Sequence, residues 1–291
     1  MDEQTVVLAP AKINLALHVT GRRADGYHLL VSLVAFTRFG DRVTMSPSVE
    51  DRFELTGPFA AGLPADDSNL AVRALKAMRA EFGRHEPVSI SLEKNLPVAS
   101  GVGGGSSDAA AVMRGLASLW RLPADPRRLA RVGLGLGADV PMCLAARPLL
   151  ARGIGDEITP VDGFPSLGIV LVNPGVAVST AAVFAALASR DNGPLPPLPA
   201  HLDFHTLCNW LETTRNDLEA PARAIAPAIN GALAALKKAG AHFVRMSGSG
   251  ATCFGLFESG NLAKRAASEI RKRKPDWFVA ATRNTSRDDT P

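Results

Sequence analysis

The segment 96–112, LPVASGVGGGSSDAAAV, constrains the fold more than any other part of this chain. Four of the five positions from Gly101 to Gly105 are glycine, two serines follow, and an alanine-rich apolar run comes directly after them. A backbone with so few side chains reaches conformations closed to other residues and lets a ligand approach closely. The apolar run predicts a helix through about Leu119, so the glycines lie where a helix begins.

A helix that begins after such a loop is a candidate anion-binding site. Its first N–H groups lack acceptors within the helix, and the aligned peptide dipoles make that end positive. The glycines let the backbone wrap an anion such as phosphate, and Ser106 and Ser107 add hydroxyl donors. Ser107 or Asp108 is expected to cap the helix. A flexible linker is the alternative, but we do not expect a linker between a strand pattern and an apolar helix.

Two common nucleotide-binding motifs do not fit this loop. A Walker A loop requires Gly-Lys-Ser/Thr, and the chain contains no Gly-Lys pair. In a dinucleotide-binding fingerprint, Ser106 would stand where the third glycine belongs. The string GLGLGA at 133–138 matches that fingerprint formally, but it follows a helical pattern rather than a strand. A dinucleotide-dependent dehydrogenase is therefore disfavoured.

Apolar periodicity along the rest of the chain predicts an α+β fold without an internal repeat. Residues 5–19 alternate with a period of two, which places Lys12, Asn14 and His18 on one face of a strand. Gly and Pro make 193–199, GPLPPLP, a loop. Further strands are predicted over 29–39, 42–46, 88–92 and 169–172 and near Phe278, a hairpin over 243–257, and helices over 68–82, 126–137, 180–189, 217–225, 227–239 and from 261.

The length of 291 residues fits one large or two ordinary domains. A Gly-, Pro- and Asp-rich stretch near 150–165 favours an N-terminal domain over 1–155 and a C-terminal domain over 156–285. The last residues, 286–291, are expected to form a frayed tail. Three widely spaced cysteines show no metal-binding spacing and are expected to be reduced thiols packed in the interior.

Charge and composition narrow the class of partner. The formal net charge of +4 suits an anionic small ligand as well as nucleic acid. Aromatic residues make up only 5% of the chain, which is few for a protein that stacks the bases of a nucleic-acid strand on aromatic side chains. The N-terminus lacks the pattern of a secretory signal, and no apolar run approaches the roughly 18 residues of a membrane helix. We therefore predict a cytoplasmic protein without nucleic-acid or membrane partners.

Two charged residues are candidates for the chemistry that a phosphate loop would serve. Phosphoryl transfer needs a carboxylate to take a hydroxyl proton and a cation near the developing charge. Lys12 begins a predicted strand after Ala9-Pro10-Ala11, and Asp139 follows a predicted helix in the string GADVP. Taken alone, each has an ordinary alternative: a solvated strand-edge charge for Lys12, and a turn or cap for Asp139.

Three segments, in this order, resemble the GHMP family of small-molecule kinases: APAKINLALHV, LPVASGVGGGSSDAA and RMSGSGATCF. The resemblance runs from about Ala9 to about Phe257. It implies a two-domain α+β fold with the active site in the cleft between the domains, and ATP as the phosphate donor with Mg²⁺ carried on it. The segments PAKINLALHVTGRRADGYHLL, LGLGADVPMCL and GIGDEITPV are most similar to members that act on an alcohol bearing a cytidine diphosphate group.

The resemblance also implies roles for individual residues. Asp139 looks like the general base and Lys12 like its partner, which would keep the carboxylate ionised and stabilise developing charge. The residues that look like the substrate site are Asn14, Tyr27, His28 and Phe184, with Tyr27 and His28 as a wall for the cytosine and Phe184 on the other side of the base. The residues that look like the ATP site are Asn69 and Lys94 near the adenine and the loop Pro97, Val98, Ala99, Ser100, Gly101, Val102, Gly103, Gly104, Gly105, Ser106 and Ser107. No protein ligand to a metal is predicted, and the state is a monomer or homodimer.

Some positions depart from the family pattern. The loop begins PVASGV where more glycine is expected, and Asp108 stands where Asn or another small residue is expected. We expect the Asp108 carboxylate to act at the helix N-terminus. The string GSGA at 248–251 is either a simple hairpin turn or, by the family resemblance, a part of the active site. Two other functions stay open: a GHMP-type kinase for mevalonate, homoserine or a sugar, and a basic RNA-binding module without catalysis.

Overall fold

The computed structural model describes residues 4–285. The predicted frayed tail at 286–291 lies outside the described residues. By its internal contacts the described chain forms two compact units, each assembled from separate segments. The first unit comprises residues 4–11, 40–98 and 103–145, and the second comprises 12–39, 99–102 and 146–285. The predicted boundary between 155 and 156 stays a prediction, because these units are defined by contacts and not by homologous domains.

Two long strands pass through both units. They are β1 (Thr5–Arg22) and β2 (His28–Pro47), which pair with each other. The predicted strands over 29–39 and 42–46 are therefore one strand, which continues through Gly40. A Cβ atom at that position would lie 2.0 Å from the carbonyl oxygen of Ala9, so only glycine fits there.

The first unit combines short strands with four helices. Its further elements are β3 (Arg52–Thr56), α1 (Leu70–Phe82), β4 (Val88–Glu93), α2 (Gly104–Leu119), α3 (Pro126–Leu136) and α4 (Val140–Ala145). The C-terminal half of β2 pairs antiparallel with β4, and β4 pairs parallel with β3. In β4 the apolar side chains are buried and the polar side chains between them are half-buried, as the period of two predicts.

Strands and helices also mix in the second unit. Its further elements are β5 (Leu149–Arg152), β6 (Glu157–Pro160), β7 (Gly168–Asn173), α5 (Thr180–Ala185), α6 (Phe204–Glu212), α7 (Glu219–Ile225), α8 (Ala228–Lys238), β8 (Phe243–Met246), β9 (Cys253–Phe257), α9 (Gly260–Arg273) and β10 (Phe278–Arg283). An antiparallel sheet has the order β10-β7-β9-β8. The N-terminal half of β2 pairs with β5, and β5 pairs with β6. The α+β prediction is confirmed.

The core of the second unit forms where helices α8 and α9 pack on this antiparallel sheet. Every residue of β7 is buried, which explains its continuous apolar run. The two helices contribute apolar side chains at helical spacing, including Ile229 and Leu236 from α8 and Ile270 from α9. Fully burying a large aliphatic side chain stabilises the fold by about 1.5–3 kcal/mol. This core therefore fixes β8 and β9, whose connecting turn reaches the candidate site.

Candidate active site

The glycine-rich loop contains three left-handed backbone positions. Ala99 has a φ of 49°, Gly101 of 78° and Gly103 of 66°. Glycine adopts this conformation without steric cost, whereas a residue such as Ala99 is strained by roughly 1–3 kcal/mol. The glycines at 101 and 103 therefore let the chain change direction sharply just before α2.

The turn between β8 and β9 holds the middle of this loop in the second unit. The Ser247 Oγ donates to the carbonyl of Gly101 at 2.9 Å, and the Thr252 N–H donates to the carbonyl of Ser100 at 3.0 Å. The packing is close, since a Cβ at Gly101 would lie 2.4 Å from the carbonyl oxygen of Ser247. The GSGA turn thus contacts the predicted phosphate loop directly.

Strand β1 contacts the same loop through its backbone. The Lys12 N–H donates to the carbonyl of Val102 at 2.9 Å. The Asn14 N–H donates to the Ser247 Oγ at 3.1 Å, so that hydroxyl accepts from β1 and donates to Gly101. Within the second unit, three of the predicted site segments are therefore joined by hydrogen bonds.

A buried arginine of the second unit also contacts β1. The guanidinium of Arg245 donates to the carbonyl of Leu15 at 2.8 Å and to the hydroxyl and carbonyl of Thr214 at 2.9 and 2.8 Å. It also donates to the carbonyl of Leu211 at 3.0 Å. Burial lowers the pKa of Arg245 to about 10, which leaves it charged at neutral pH. Sequence reasoning missed this residue, because its partners lie about 30 and 230 positions away.

The N-terminus of α2 differs from the prediction at its cap. The N-cap is Gly103, and the first turn contains two glycines and two serines without an acidic residue. The expectation that Ser107 or Asp108 caps the helix is wrong, because the helix begins before both of them. The Ser107 Oγ instead donates to the carbonyl of Pro10 at 2.7 Å in the interior of the first unit. The first N–H groups of α2, which a helix leaves without internal acceptors, suit a phosphate.

A buried group of three charges lies beside this helix in the first unit. The Lys94 ammonium donates to the Asp108 Oδ2 at 2.5 Å and also to the Asp41 Oδ2. All three side chains are at least 95% buried. Asp41 in turn accepts from the backbone N–H groups of Asn95 and Leu96, at 2.5 and 2.8 Å for the N–O distances. The group therefore fixes the start of the segment that leads into the glycine loop.

In this group a single ammonium faces two carboxyl groups. Burial raises the pKa of Asp108 to about 8, against the lowering effect of Lys94, and the nearby Asp41 raises it further. The Asp108 Oδ1 has no hydrogen-bond partner among residues 4–285. The expectation that Asp108 acts at the helix N-terminus is wrong, because it lies in the second turn and pairs with Lys94. The predicted contact of Lys94 with ATP stays a prediction.

Other predicted ATP and catalytic residues have defined local positions. Asn69 is the N-cap of α1: its Oδ1 accepts from the Ala71 N–H at 2.9 Å, and its Nδ2 donates to the carbonyl of Pro64 at 2.8 Å. Asp139 is half-buried in the first unit, and its carbonyl accepts from the Cys143 N–H at 3.1 Å as α4 begins. The roles of Asn69 and Asp139 stay predictions.

Two of the predicted substrate residues, His28 and Phe184, contact each other. The rings of His28 and Phe184 stack with centroids 4.6 Å apart and an interplanar angle of 28°. Burial lowers the pKa of His28, and Arg22 and Arg190 lower it further, so the imidazole is neutral at neutral pH. Tyr27 is 59% exposed. The two rings contact each other directly, so a base stacked between them would have to part them.

His18 is a structural residue of the second unit. Its Nδ1 lies 2.9 Å from the carbonyl of Gly193, and its Nε2 accepts from the Arg215 N–H at 3.1 Å. This pair of contacts assigns the proton to Nδ1 and holds the start of the proline-rich loop. Across residues 4–285 no group of three or more His, Cys, Asp or Glu side chains is arranged to hold a metal ion.

Comparison with known proteins identifies the family of the chain. The family model for the GHMP kinases N terminal domain matches residues 69–147, and that for GHMP kinases C terminal matches 200–276. A 4-diphosphocytidyl-2-C-methyl-D-erythritol kinase from Mesorhizobium japonicum is 68% identical over 280 residues, which cover 96% of this chain and 95% of the relative. The chain belongs to the GHMP kinase family. These matches confirm the resemblance found in three segments of its sequence.

Two further matches locate this GHMP kinase among its relatives. A 4-diphosphocytidyl-2-C-methyl-D-erythritol kinase from Brucella melitensis is 53% identical over 277 residues, which cover 94% of this chain and 92% of the relative. A crystal structure of 4-(cytidine 5'-diphospho)-2C-methyl-D-erythritol kinase has 34% sequence identity and a TM-score of 0.78, covering 97% of this chain and 100% of the other.

More distant structures share only the fold. A homoserine kinase from Cytophaga hutchinsonii has 18% identity and a TM-score of 0.68, covering 98% of this chain and 95% of its own. At such identity the likeness carries no information about the substrate of this GHMP kinase. Among the residues that the structure describes, none of the helices has the length and apolar character needed to span a membrane.

Proposed function

We propose that this kinase transfers the γ-phosphoryl group of ATP to the 2-hydroxyl of 4-diphosphocytidyl-2-C-methyl-D-erythritol, giving the 2-phosphate and ADP. The observation that carries the proposal is the 68% identity, over nearly the whole chain, with a relative of that name. This reaction belongs to the non-mevalonate route to isoprenoid precursors. The GHMP kinase family supports ATP as the donor.

The local geometry supports a phosphate-binding role for the glycine loop. Its left-handed positions at Gly101 and Gly103 present backbone rather than side chains before α2. The first N–H groups of that helix would bind the phosphates of ATP. Mg²⁺ would arrive on the nucleotide and neutralise charge on the transferred group. Residues Pro97 to Ser107 form this ATP loop in our proposal, with Asn69 and Lys94 nearer the adenine.

For the chemical step we assign a carboxylate as the base that takes the proton of the substrate hydroxyl. Asp139 accepts the proton of the 2-hydroxyl as the hydroxyl oxygen attacks the γ-phosphorus of ATP. The bond between the γ-phosphorus and the β,γ-bridging oxygen breaks, and ADP leaves. Lys12 stabilises the charge that develops. The transfer is direct and in line, without a phosphoenzyme. Tyr27, His28 and Phe184 bind the cytosine, and Asn14 binds the polyol. The kinase acts in the cytoplasm as a monomer or homodimer, without nucleic-acid partners.

A coupled ADP-release assay tests this proposal. The purified kinase is supplied with ATP, Mg²⁺ and 4-diphosphocytidyl-2-C-methyl-D-erythritol, beside matched reactions with mevalonate and homoserine. We expect turnover with the cytidyl substrate alone, and phosphorus NMR of the product places the new phosphate on the 2-hydroxyl. Turnover with mevalonate or homoserine would support a kinase activity but reject the proposed cytosine site at Tyr27 and His28. If the folded protein releases no ADP with any of the three alcohols, the proposed function is rejected.

A further inference from the structure

The amide oxygen of Asn14 is a buried acceptor that the fold leaves unused. Asn14 is 3% exposed, and its Oδ1 has no hydrogen-bond partner within residues 4–285. A Cβ at Gly248 would lie 3.4 Å from this oxygen, so the glycine keeps a side chain away from it. A buried acceptor without a donor is destabilising, and such a group calls for an explanation such as a bound ligand.

The other end of the same amide is bonded in a fixed direction. The Asn14 Nδ2 donates to the Ser32 Oγ at 2.8 Å, and the Ser32 Oγ donates to the carbonyl of Ala16 at 2.7 Å. A hydroxyl has a single proton, and a carbonyl can only accept. Because the Ser32 proton is committed to Ala16, Ser32 can only accept from Asn14. The NH₂ group must therefore face Ser32, and the oxygen must face away from it.

We propose that Ser32 is a positioning residue, which orients the Asn14 amide so that its oxygen meets the acceptor substrate. This inference rests on the proposed function, in which Asn14 binds the polyol. It also specifies the substrate group at this point. The Asn14 Oδ1 accepts from a donor, so its partner is a hydroxyl of the methylerythritol and not an oxygen of the diphosphate. A reversed amide would present N–H groups and favour a phosphate oxygen instead.

Burial makes this orientation persistent. Ser32 is 1% exposed and Ala16 is fully buried, so water does not compete for the hydroxyl or the carbonyl. The backbone of Asn14 is held independently, because its N–H donates to the Ser247 Oγ at 3.1 Å. Removing the Ser32 hydroxyl would therefore release the direction of the amide while the strand that carries it stays anchored.

Steady-state kinetics of Ser32→Ala, Ser32→Thr, Asn14→Ala and the Asn14→Ala/Ser32→Ala double variant test this role. We expect S32A to lower kcat/KM for the cytidyl substrate about tenfold, the loss of roughly one neutral hydrogen bond. The KM for ATP should stay unchanged, and S32T should restore most of the activity because it keeps the hydroxyl. In the N14A background, S32A should add nothing. An equal loss in both backgrounds would overturn the proposal and assign Ser32 a role in the fold alone.

A measurement without turnover separates this inference from the proposed function. In ¹H–¹⁵N spectra of the full chain, the Asn14 side-chain amide is assigned by its absence in N14A. We expect slow solvent exchange for this amide in the native protein and faster exchange with a shifted signal in S32A. Unchanged Asn14 signals in S32A would overturn the proposal. If the native protein lacks activity on the cytidyl substrate, the proposed function fails, and these spectra still decide whether Ser32 orients Asn14.

Discussion

The ammonium of Lys94 and the carboxylate of Asp108 lie 2.5 Å apart, from Nζ to Oδ2, in the interior of the first unit. The same ammonium contacts Asp41, so one cation compensates two buried acids. Asp41 also binds the backbone at Asn95 and Leu96, directly before the glycine loop. The charge of Lys94 therefore supports the segment from which the loop begins.

Replacing Lys94 with Met should be strongly destabilising, because it removes the ammonium that both buried acids, Asp41 and Asp108, contact. We expect a loss of about 3–5 kcal/mol in the free energy of unfolding. Urea unfolding at pH 7 measures it. The matched control is Lys76→Met, which removes an ion pair to Asp67 of the same 2.5 Å separation on the surface. There we expect about 0–1 kcal/mol. Equal losses in the two variants would contradict the structural role of Lys94.

Asp108 should make the stability of the kinase fall as the pH rises. Its pKa is raised from an ordinary value of 3.8 to about 8, so the folded state binds this proton more tightly than the unfolded state. The contribution to stability is complete below about pH 4 and is lost as the pH rises through about 8.

Urea unfolding of the native protein and Asp108→Asn between pH 5 and pH 9 checks this dependence, with the pH range chosen to span about 8. The amide cannot ionise, so the difference in unfolding free energy between the two proteins should shift in favour of D108N as the pH rises. A difference independent of pH would show that Asp108 titrates alike in the folded and unfolded states.

Gly101 should tolerate no side chain. Alanine there combines a left-handed φ of 78° with a Cβ only 2.4 Å from the carbonyl of Ser247. We expect Gly101→Ala to lower kcat/KM for ATP by roughly tenfold to a hundredfold, as displacement of a positioned group does. Gly175→Ala is the matched control, since φ is 77° and no described atom outside its neighbours lies within 4 Å of its Cβ position. Similar kinetic losses in both variants would assign the effect to backbone strain alone.

Removing the proposed catalytic groups should strongly reduce turnover without unfolding the protein. We expect Asp139→Asn and Lys12→Ala each to lower kcat by at least about 10²-fold, the low end of general acid–base catalysis. Rapid-quench assays with ATP and the cytidyl substrate measure kcat, and circular dichroism with thermal unfolding verifies the fold. Near-native turnover in folded D139N would remove Asp139 as the base.

The sequence predicts the site best where a local pattern has a local cause. The glycines before α2 are such a case, since backbone freedom and a helix N-terminus are properties of neighbouring residues. In strand β1, by contrast, the local pattern predicts the face of each residue but not its burial or its partners. Its alternation predicts a polar face containing Lys12, Asn14 and His18, but all three are buried. The partners of Asn14 and His18 come from Ser32, Ser247 and the segments near 193 and 215.

Short secondary-structure elements, and ion pairs between residues far apart in the chain, could not be predicted from the sequence. Helix α5 ends at Ala185 rather than at the predicted residue 189, and no pattern predicted α4, α6, β3, β5 or β6. Most of these elements have four to six residues, which is too short for a period to emerge. Asp41 lies 53 positions from Lys94, so nothing near either residue indicates their pairing.

The hydroxyl of Ser247 accepts a hydrogen bond from the backbone of Asn14 and donates one to the carbonyl of Gly101. A single hydroxyl group therefore connects strand β1 to the glycine-rich loop. Under the proposed roles, in which the loop binds the nucleotide and Asn14 binds the alcohol, this hydroxyl would link two binding equilibria. A nucleotide that orders the loop would also fix this hydroxyl for β1, and an alcohol held by Asn14 would fix it for the loop. Linkage requires the coupling free energy to be equal in both directions. Each substrate should therefore raise the affinity for the other by the same factor, whichever binds first.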